Sequence, residues 1–260
     1  MARQITDSLY WIHECTEAPD ADHHVHSSLY ILEHEDRHIL LDDGPFLHAE
    51  GLKESVEDIT GPEGPDANFV FKPHTPHSGN TGHFKETWEN MEVVFPIGGA
   101  KVSGIPTPVT GFDELVGPIS IEGREMSLTE VPIIDVQTTT WVFDEVDNIW
   151  FTLEGFGYFH EGDQCNLVSN EYGEGIQYPY VADYYADDFV AWAKYVDAER
   201  CVSRIQSLLE KYEPEVIAPA HGAPLVGDDI DHYMRQFAEA MEVKDEAFEL
   251  PPYGEYQTKA

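Results

Sequence analysis

Four times in this chain a short apolar run stops at a Pro- or Gly-bearing turn that carries a histidine or a carboxylate. Ile39 to Leu41 ends on Asp42 and Asp43 before Gly44, and Phe69 to Phe71 runs into Pro73, Pro76, Gly79 and Gly82 with His74, His77 and His83 among them. Ile149 to Leu153 delivers Glu154 into a Gly-rich turn, and Val216 to Ala218 passes through Pro219 to His221 and Gly222. Apolar runs of this length bounded by Pro and Gly read as buried strands. Neutral imidazoles in rigid loops at strand ends are well placed to bind zinc, iron and similar metals. Each turn alone has a bland reading as a polar loop. Their recurrence argues for a sheet that gathers its strand ends at one edge.

The order of these parts resembles the metallo-β-lactamase superfamily. Ile5 to Ile12, Ser28 to Glu33 and Ala218 to Gly222 are most similar to the oxygen-reductase-like domain of flavodiiron proteins, over roughly residues 5 to 235. The resemblance implies an α/β (α+β) fold, the αββα sandwich of two sheets with helices outside. It also implies a metal site, and homodimers occur among proteins of this kind. Aligning the histidine before x-Gly-Asn puts His77 at the last position of the family's ligand run. The remaining positions then fall on Lys72, His74 and Pro76, of which a charged Lys72 cannot bind a metal and Pro76 has no side-chain donor. Asp135 stands where the family has a histidine, Glu154 where it has the bridging aspartate, and His221 matches the final histidine. The implied metal ligands are His74, His77, Asp135, Glu154 and His221. His77, Glu154 and His221 make two imidazoles and one carboxylate, enough for one divalent zinc or iron. His74 and Asp135, sharing Glu154, would hold a second ion only weakly, because the charge of a nearby Lys72 opposes it.

Asp plus Glu number 50 against 14 Lys plus Arg, a formal net charge of -36 over 260 residues. So acidic a surface is repelled by nucleic acid and anionic lipid, which excludes both as expected partners. Yet 42% of residues are hydrophobic and 12% aromatic, so the chain can bury a substantial core. Its self-repulsion is suppressed at molar salt, where the screening length is about 3 Å, and the scarcity of Lys resembles cytoplasmic proteins of salt-accumulating halophiles. Cys15, Cys165 and Cys201 suggest buried thiols in an intracellular protein rather than a disulfide framework. No apolar run approaches 18 residues and no signal-peptide core opens the chain, so the expected location is cytoplasmic.

In chain order, Ile5 to His13, Ser27 to His34 and Arg37 to Asp42 read as a strand meander. The intervening Glu14 to His26, with His23, His24 and His26, reads as a solvated acidic loop. A helix over Gly51 to Thr60 precedes the Phe69 strand, and another is expected within Ser78 to Asn90. Met91 to Pro96, Lys101 to Gly104, Ile119 to Ile121, Glu130 to Asp135, Thr138 to Asp144 and Asn148 to Leu153 read as strands. Helical character runs from Val181 to Tyr212, with Val202, Ile205, Leu208, Leu209 and Tyr212 at core spacing. Tyr178, Tyr180, Tyr184, Tyr185, Phe189, Trp192 and Tyr195 read as packing more than as a roof over a site. Asp231 to Phe248 is a last helix. The expected organisation is one domain over 1–250 and a loose tail over 251–260.

Three functions fit these residues. The first is a metal-dependent hydrolase of a small-molecule ester, thioester or lactone, in which one cation activates water and Asp42, Asp43 or Asp135 orients it near Lys72. The second is a reductase or sensor of oxygen or nitric oxide, which in the reductase case needs a separate electron-transfer protein, since no flavin-binding part is expected in this chain. The third is a binding module in which Lys72 replaces a missing cation. Fold cannot choose among them, but the two ligand changes at Lys72 and Pro76 damage two-iron redox chemistry more than water activation, so the expected function is the hydrolase.

Overall fold

The computed structural model describes residues 2–18, 23–96, 110–112, 117–136, 138–185, 190, 193 and 196–247. The expected strand over 101–104, the aromatics Phe189, Trp192 and Tyr195, and the tail over 251–260 lie outside these residues.

Two sheets form the centre. The first runs β1 (Ala2–Gln4), β2 (Leu9–Glu17), β3 (His24–His34), β4 (Arg37–Leu41), β5 (Ala67–Phe69), β6 (Glu92–Pro96) and β7 (Thr110–Phe112) in sequential order. Pairing is antiparallel from β1 to β4 and parallel from β4 to β7. The second sheet has β8 (Ile119–Ile121), β9 (Arg124–Thr129), β10 (Trp141–Asp144), β11 (Ile149–Leu153), β12 (Val216–Pro219) and β13 (Leu225–Val226), with β11 and β12 parallel. The helices are α1 (Ala49–Thr60), α2 (Thr81–Thr87), α3 (Tyr178–Asp183), α4 (Ala198–Tyr212) and α5 (Asp228–Ala247).

Strand alternation sorts the side chains into layers. Tyr30, Leu32, Ile39, Leu41, Phe69 and Phe71 face the second sheet's Trp141, Trp150 and Phe151 in one core cluster. Their neighbours Leu29, Ile31, Leu40 and Val70 point the other way, onto Leu52 and Val56 of α1 and Phe84 and Trp88 around α2. Each fully buried side chain of this size contributes about 1.5–3 kcal/mol. On the far side, Cys201, Ile205 and Leu208 of α4 and Tyr233, Phe237 and Met241 of α5 pack against the second sheet. Asp197 caps α4 by accepting from the Arg200 amide, and Glu213 ends it in the left-handed region. This is the αββα sandwich.

Several local readings are corrected. β2 and β3 continue through the supposed acidic loop, pairing as far as Glu17 with His24, and His26 is fully buried. Polar residues on a two-stranded extension hid its alternation. Glu130 to Asp135 is not a strand, since β9 ends at Thr129 and Pro132 cannot donate to a ladder. Thr138 to Thr140 also precede β10, and the Thr139 hydroxyl instead closes a turn on the Val136 carbonyl at 2.7 Å. Cys15 and Cys165 form a disulfide across 150 residues, which overturns the expectation of free thiols for this pair and leaves Cys201 as the free cysteine.

Candidate metal centre

Four strand ends converge where the two sheets meet. Leaving β4, Asp42 takes a positive φ of 62° and accepts the Phe71 amide at 2.9 Å, tying the β4 end to the β5 end. Asp43 is buried and accepts from Asn68 at 2.9 Å, the Asn80 amide at 2.6 Å and the Thr81 hydroxyl at 2.5 Å. It thereby anchors the far end of the His loop. Gly79 is required there: a Cβ would stand 2.6 Å from the Phe46 nitrogen and 2.7 Å from the Gly44 oxygen. Burial pushes the Asp43 carboxyl up to about 7 against these three donors. Asp43 is a structural anchor in this arrangement.

Between those anchors the loop turns Lys72 and His77 inward. Lys72 is fully buried, and its ammonium donates to Asp135 at 2.7 Å and to Glu154. His77 sits between two carboxylates, with Nδ1 2.7 Å from Asp42 and Nε2 3.1 Å from Glu154. Burial and the Lys72 charge oppose a proton on His77, but Asp42 and Glu154 outweigh them and raise its pKa. Both nitrogens therefore donate in this state. Glu154 leaves β11 beside a left-handed Leu153, and its own carbonyl accepts the Tyr184 hydroxyl at 3.2 Å. Burial pushes the Glu154 carboxyl up, yet His77, Lys72 and His221 together hold it well below the usual carboxylate range.

His221 follows β12, and its Nδ1 donates to the His26 carbonyl at 3.0 Å. Burial, aided by the His77 charge, pushes His221 down to about 4, so it is neutral. A proton on Nδ1 then leaves the lone pair on Nε2. The ring of His221 lies 5.7 Å from that of His77 and 6.3 Å from that of Tyr184.

The structure thus brings Asp42, Lys72, His77, Asp135, Glu154 and His221 into one region. One donor atom each of His77, Glu154 and His221 lie within 4.8 Å of one another. His74 is exposed and outside that group, and Asp43 faces the loop anchors. Asp135, about a quarter exposed, enters from the irregular segment after β9. Tyr184 was read as packing; its hydroxyl also fixes the Glu154 turn.

The residues fit a divalent ion. Glu154 Oε2 is buried with no hydrogen-bond partner, an orphan that an ion would satisfy. With His77 deprotonated at Nε2, three carboxylates against one ammonium leave two negative charges, which one divalent ion cancels. A second ion would need carboxylate oxygens that Lys72 already occupies and would leave buried positive charge uncompensated.

Among solved structures, a flavo di-iron protein mutant from Thermotoga maritima superposes with a TM-score of 0.75 at 14% identity over 93% of this chain and 61% of that one. The fold is the metallo-β-lactamase-like fold of the flavodiiron core. The flavodiiron protein of Giardia intestinalis matches with a TM-score of 0.76 at 13% identity, covering 94% of this chain and 60% of that one. Rubredoxin oxygen:oxidoreductase from Desulfovibrio gigas gives 0.73 at 16% identity, over 93% and 62%. This chain therefore spans about three fifths of these flavodiiron proteins. No protein-family profile matches the sequence, and no curated protein matches it either.

Proposed function

We propose that this chain holds one metal ion on His77, Glu154 and His221, with the Lys72 ammonium standing where a second cation would sit. The ligand we propose for it is a small neutral molecule such as dioxygen or nitric oxide, bound in the manner of a sensor. The observation that carries this reading is the Lys72 ammonium bonded to both Asp135 and Glu154. A two-iron reductase needs those oxygens for its second ion. Burial then separates binding from hydrolysis: Lys72, His77, Glu154 and His221 are each at most 3% exposed. A hydrolase must admit a carbonyl group and release an acid, whereas a diatomic ligand needs no open cleft.

When bound, the ion would supply an open coordination position, since two imidazoles and one carboxylate leave others free. Asp42 orients His77, and the His26 carbonyl fixes the tautomer of His221. Lys72 keeps Glu154 ionised, and the Tyr184 hydroxyl pins the turn that presents it.

The hydrolase reading keeps one supporting observation, the partial exposure of Asp135, past which a substrate carbonyl would reach Lys72. Metal analysis and ligand titration of protein purified at high salt distinguish these readings. One ion per chain, an optical change on adding nitric oxide to the ferrous protein, and ester and lactone turnover at buffer background are expected. Two tightly held ions per chain in protein whose Cys15–Cys165 disulfide is intact would overturn the one-ion reading. Turnover abolished in His221→Ala would establish the hydrolase instead.

A further inference from the structure

A second cluster of metal-binding side chains uses none of the ligands of the Glu154 centre, although His26, whose carbonyl holds His221, belongs to it. Cys15 on β2 is the direct cross-strand partner of His26 on β3. Two residues earlier, His24 forms an isolated bridge with His160, the backbone of each donating to the other at 2.9 and 3.0 Å. Cys165 follows the single turn Gly162–Gln164 and is joined to Cys15. Backbone pairing therefore delivers the side chains from three separate segments. One donor atom each of Cys15, His26 and His160 lie within 4.8 Å of one another.

The imidazoles are already set as ligands. His26 Nε2 lies 2.9 Å from the Cys165 carbonyl, and His160 Nδ1 lies 2.7 Å from the Glu161 carbonyl. A carbonyl only accepts, so those nitrogens carry the protons and the lone pairs fall on His26 Nδ1 and His160 Nε2. His26 Nδ1 is buried with no hydrogen-bond partner, and His160 Nε2 faces the Cys15 sulfur at 3.9 Å. Ring nitrogens held by backbone carbonyls with the opposite lone pairs left over are the arrangement that supports bound metal. The rings stack with centroids 4.2 Å apart, and His13 meets His26 edge-on at 5.1 Å. The two histidines are buried and the two cysteines half-buried, so a reductant reaches the sulfurs before it reaches the rings.

We propose that this cluster is a redox-gated zinc site: the disulfide is its metal-free state, and reduction releases the Cys15 and Cys165 thiolates to join His26 Nδ1 and His160 Nε2 around one ion. Disulfide sulfurs are poor donors, while thiolates bind zinc at about 2.3 Å and imidazoles at about 2.0–2.1 Å. The sulfurs move apart on reduction to the roughly 3.7 Å that tetrahedral geometry with those bond lengths requires. A dithiol reductant supplies two electrons and two protons; it leaves as its own disulfide and gives two thiols. Zinc then displaces both thiol protons. Four protein ligands close the coordination sphere, so the site is structural or regulatory rather than catalytic.

The test uses the full chain at high salt, stripped with chelator and titrated with Co²⁺ and then Zn²⁺, before and after anaerobic treatment with a dithiol. Before treatment, denatured protein should show one reactive thiol, Cys201, and after it three. The reduced protein should take up one equivalent of cobalt beyond that held at the Glu154 centre, with a thiolate charge-transfer band that zinc then bleaches; the oxidised protein should show no such band and no additional equivalent. The Glu154 centre has no sulfur, so His221→Ala should retain the band whatever its effect on the other ion. Cys165→Ser, which leaves β2 and β3 intact, should weaken uptake at this site at least about tenfold. No band in the reduced wild type, an undiminished band in Cys165→Ser, or three reactive thiols before reduction would each overturn the proposal.

Discussion

Replacing Lys72 by Met isolates the role of the buried ammonium. Met keeps most of the unbranched stem, so lost packing is small. What remains are two carboxylates whose shared cation has gone. Asp135 is 23% exposed and can turn to water, but Glu154 at 3% cannot. Removing one partner of a buried ion pair costs about 3–5 kcal/mol, and the relief available to Asp135 places this case near about 3. For a domain of this size that corresponds to a fall in Tm of about 6–12 °C. Urea unfolding at constant molar KCl with chelator present measures it. In the same variant, excess Zn²⁺ or Mn²⁺ should recover part of the loss and raise metal content from one ion to two, because the vacated oxygens accept the second ion. The double variant Lys72→Met with Glu154→Gln should be more stable than Lys72→Met alone, since no uncompensated charge stays buried. A Lys72→Met midpoint equal to wild type in chelator, with metal content still at one, would refute the assignment of Lys72 as the built-in cation.

Three further outcomes follow from the same geometry. His221→Ala should lose the ion at the Glu154 centre while His24→Ala keeps it, read by metal analysis after gel filtration; full metal content in His221→Ala would remove the triad. Dilution from several molar KCl should lower Tm and loosen the chain, because a net charge of -36 is then unscreened, and an unchanged melting curve would remove the halophilic reading. Asp43 gives a pH dependence of definite sign. Its folded-state value of about 7 lies above the 3.8 of the free group, so its protonated form favours the folded state. That contribution is complete below about pH 4 and is lost as pH rises through 7, about 4 kcal/mol across the window at about 1.4 per unit. Asp43→Asn should flatten the slope of the urea midpoint against pH, and an unchanged slope would assign it elsewhere.

The strand ends were legible because their signals are local: an apolar run, then Pro or Gly, then a ligand-type side chain. This is why Asp42, His77, Glu154 and His221 could be singled out although 77 residues separate His77 from Glu154. The environment of Lys72 was legible only as an opposing charge, since nothing in its neighbourhood announces that Asp135 and Glu154 close on it. The Cys15–Cys165 pair was invisible for a stronger reason. Its formation depends on the β2–β3 register and on a bridge between His24 and His160, neither of which has a sequence signature. His26 was lost in the same way, because a polar strand extension looks like a solvated loop until its partner is known. The Glu130 to Asp135 misreading came from weighing the apolar Val131, Ile133 and Ile134 above Pro132.

The placement of every centre residue past the end of a strand divides what this chain must preserve from what it is free to change. Strand bodies fill the core, and their alternation is answerable to dozens of neighbours. The turns beyond them answer to far fewer partners, such as the His26 carbonyl that holds His221. A lysine or a proline in such a turn alters the chemistry and leaves the layers undisturbed. Shape and reactivity are thus inherited on separate terms. At 13–16% identity the layers still superpose on those of the solved structures, and identity that low leaves the turn positions free to differ.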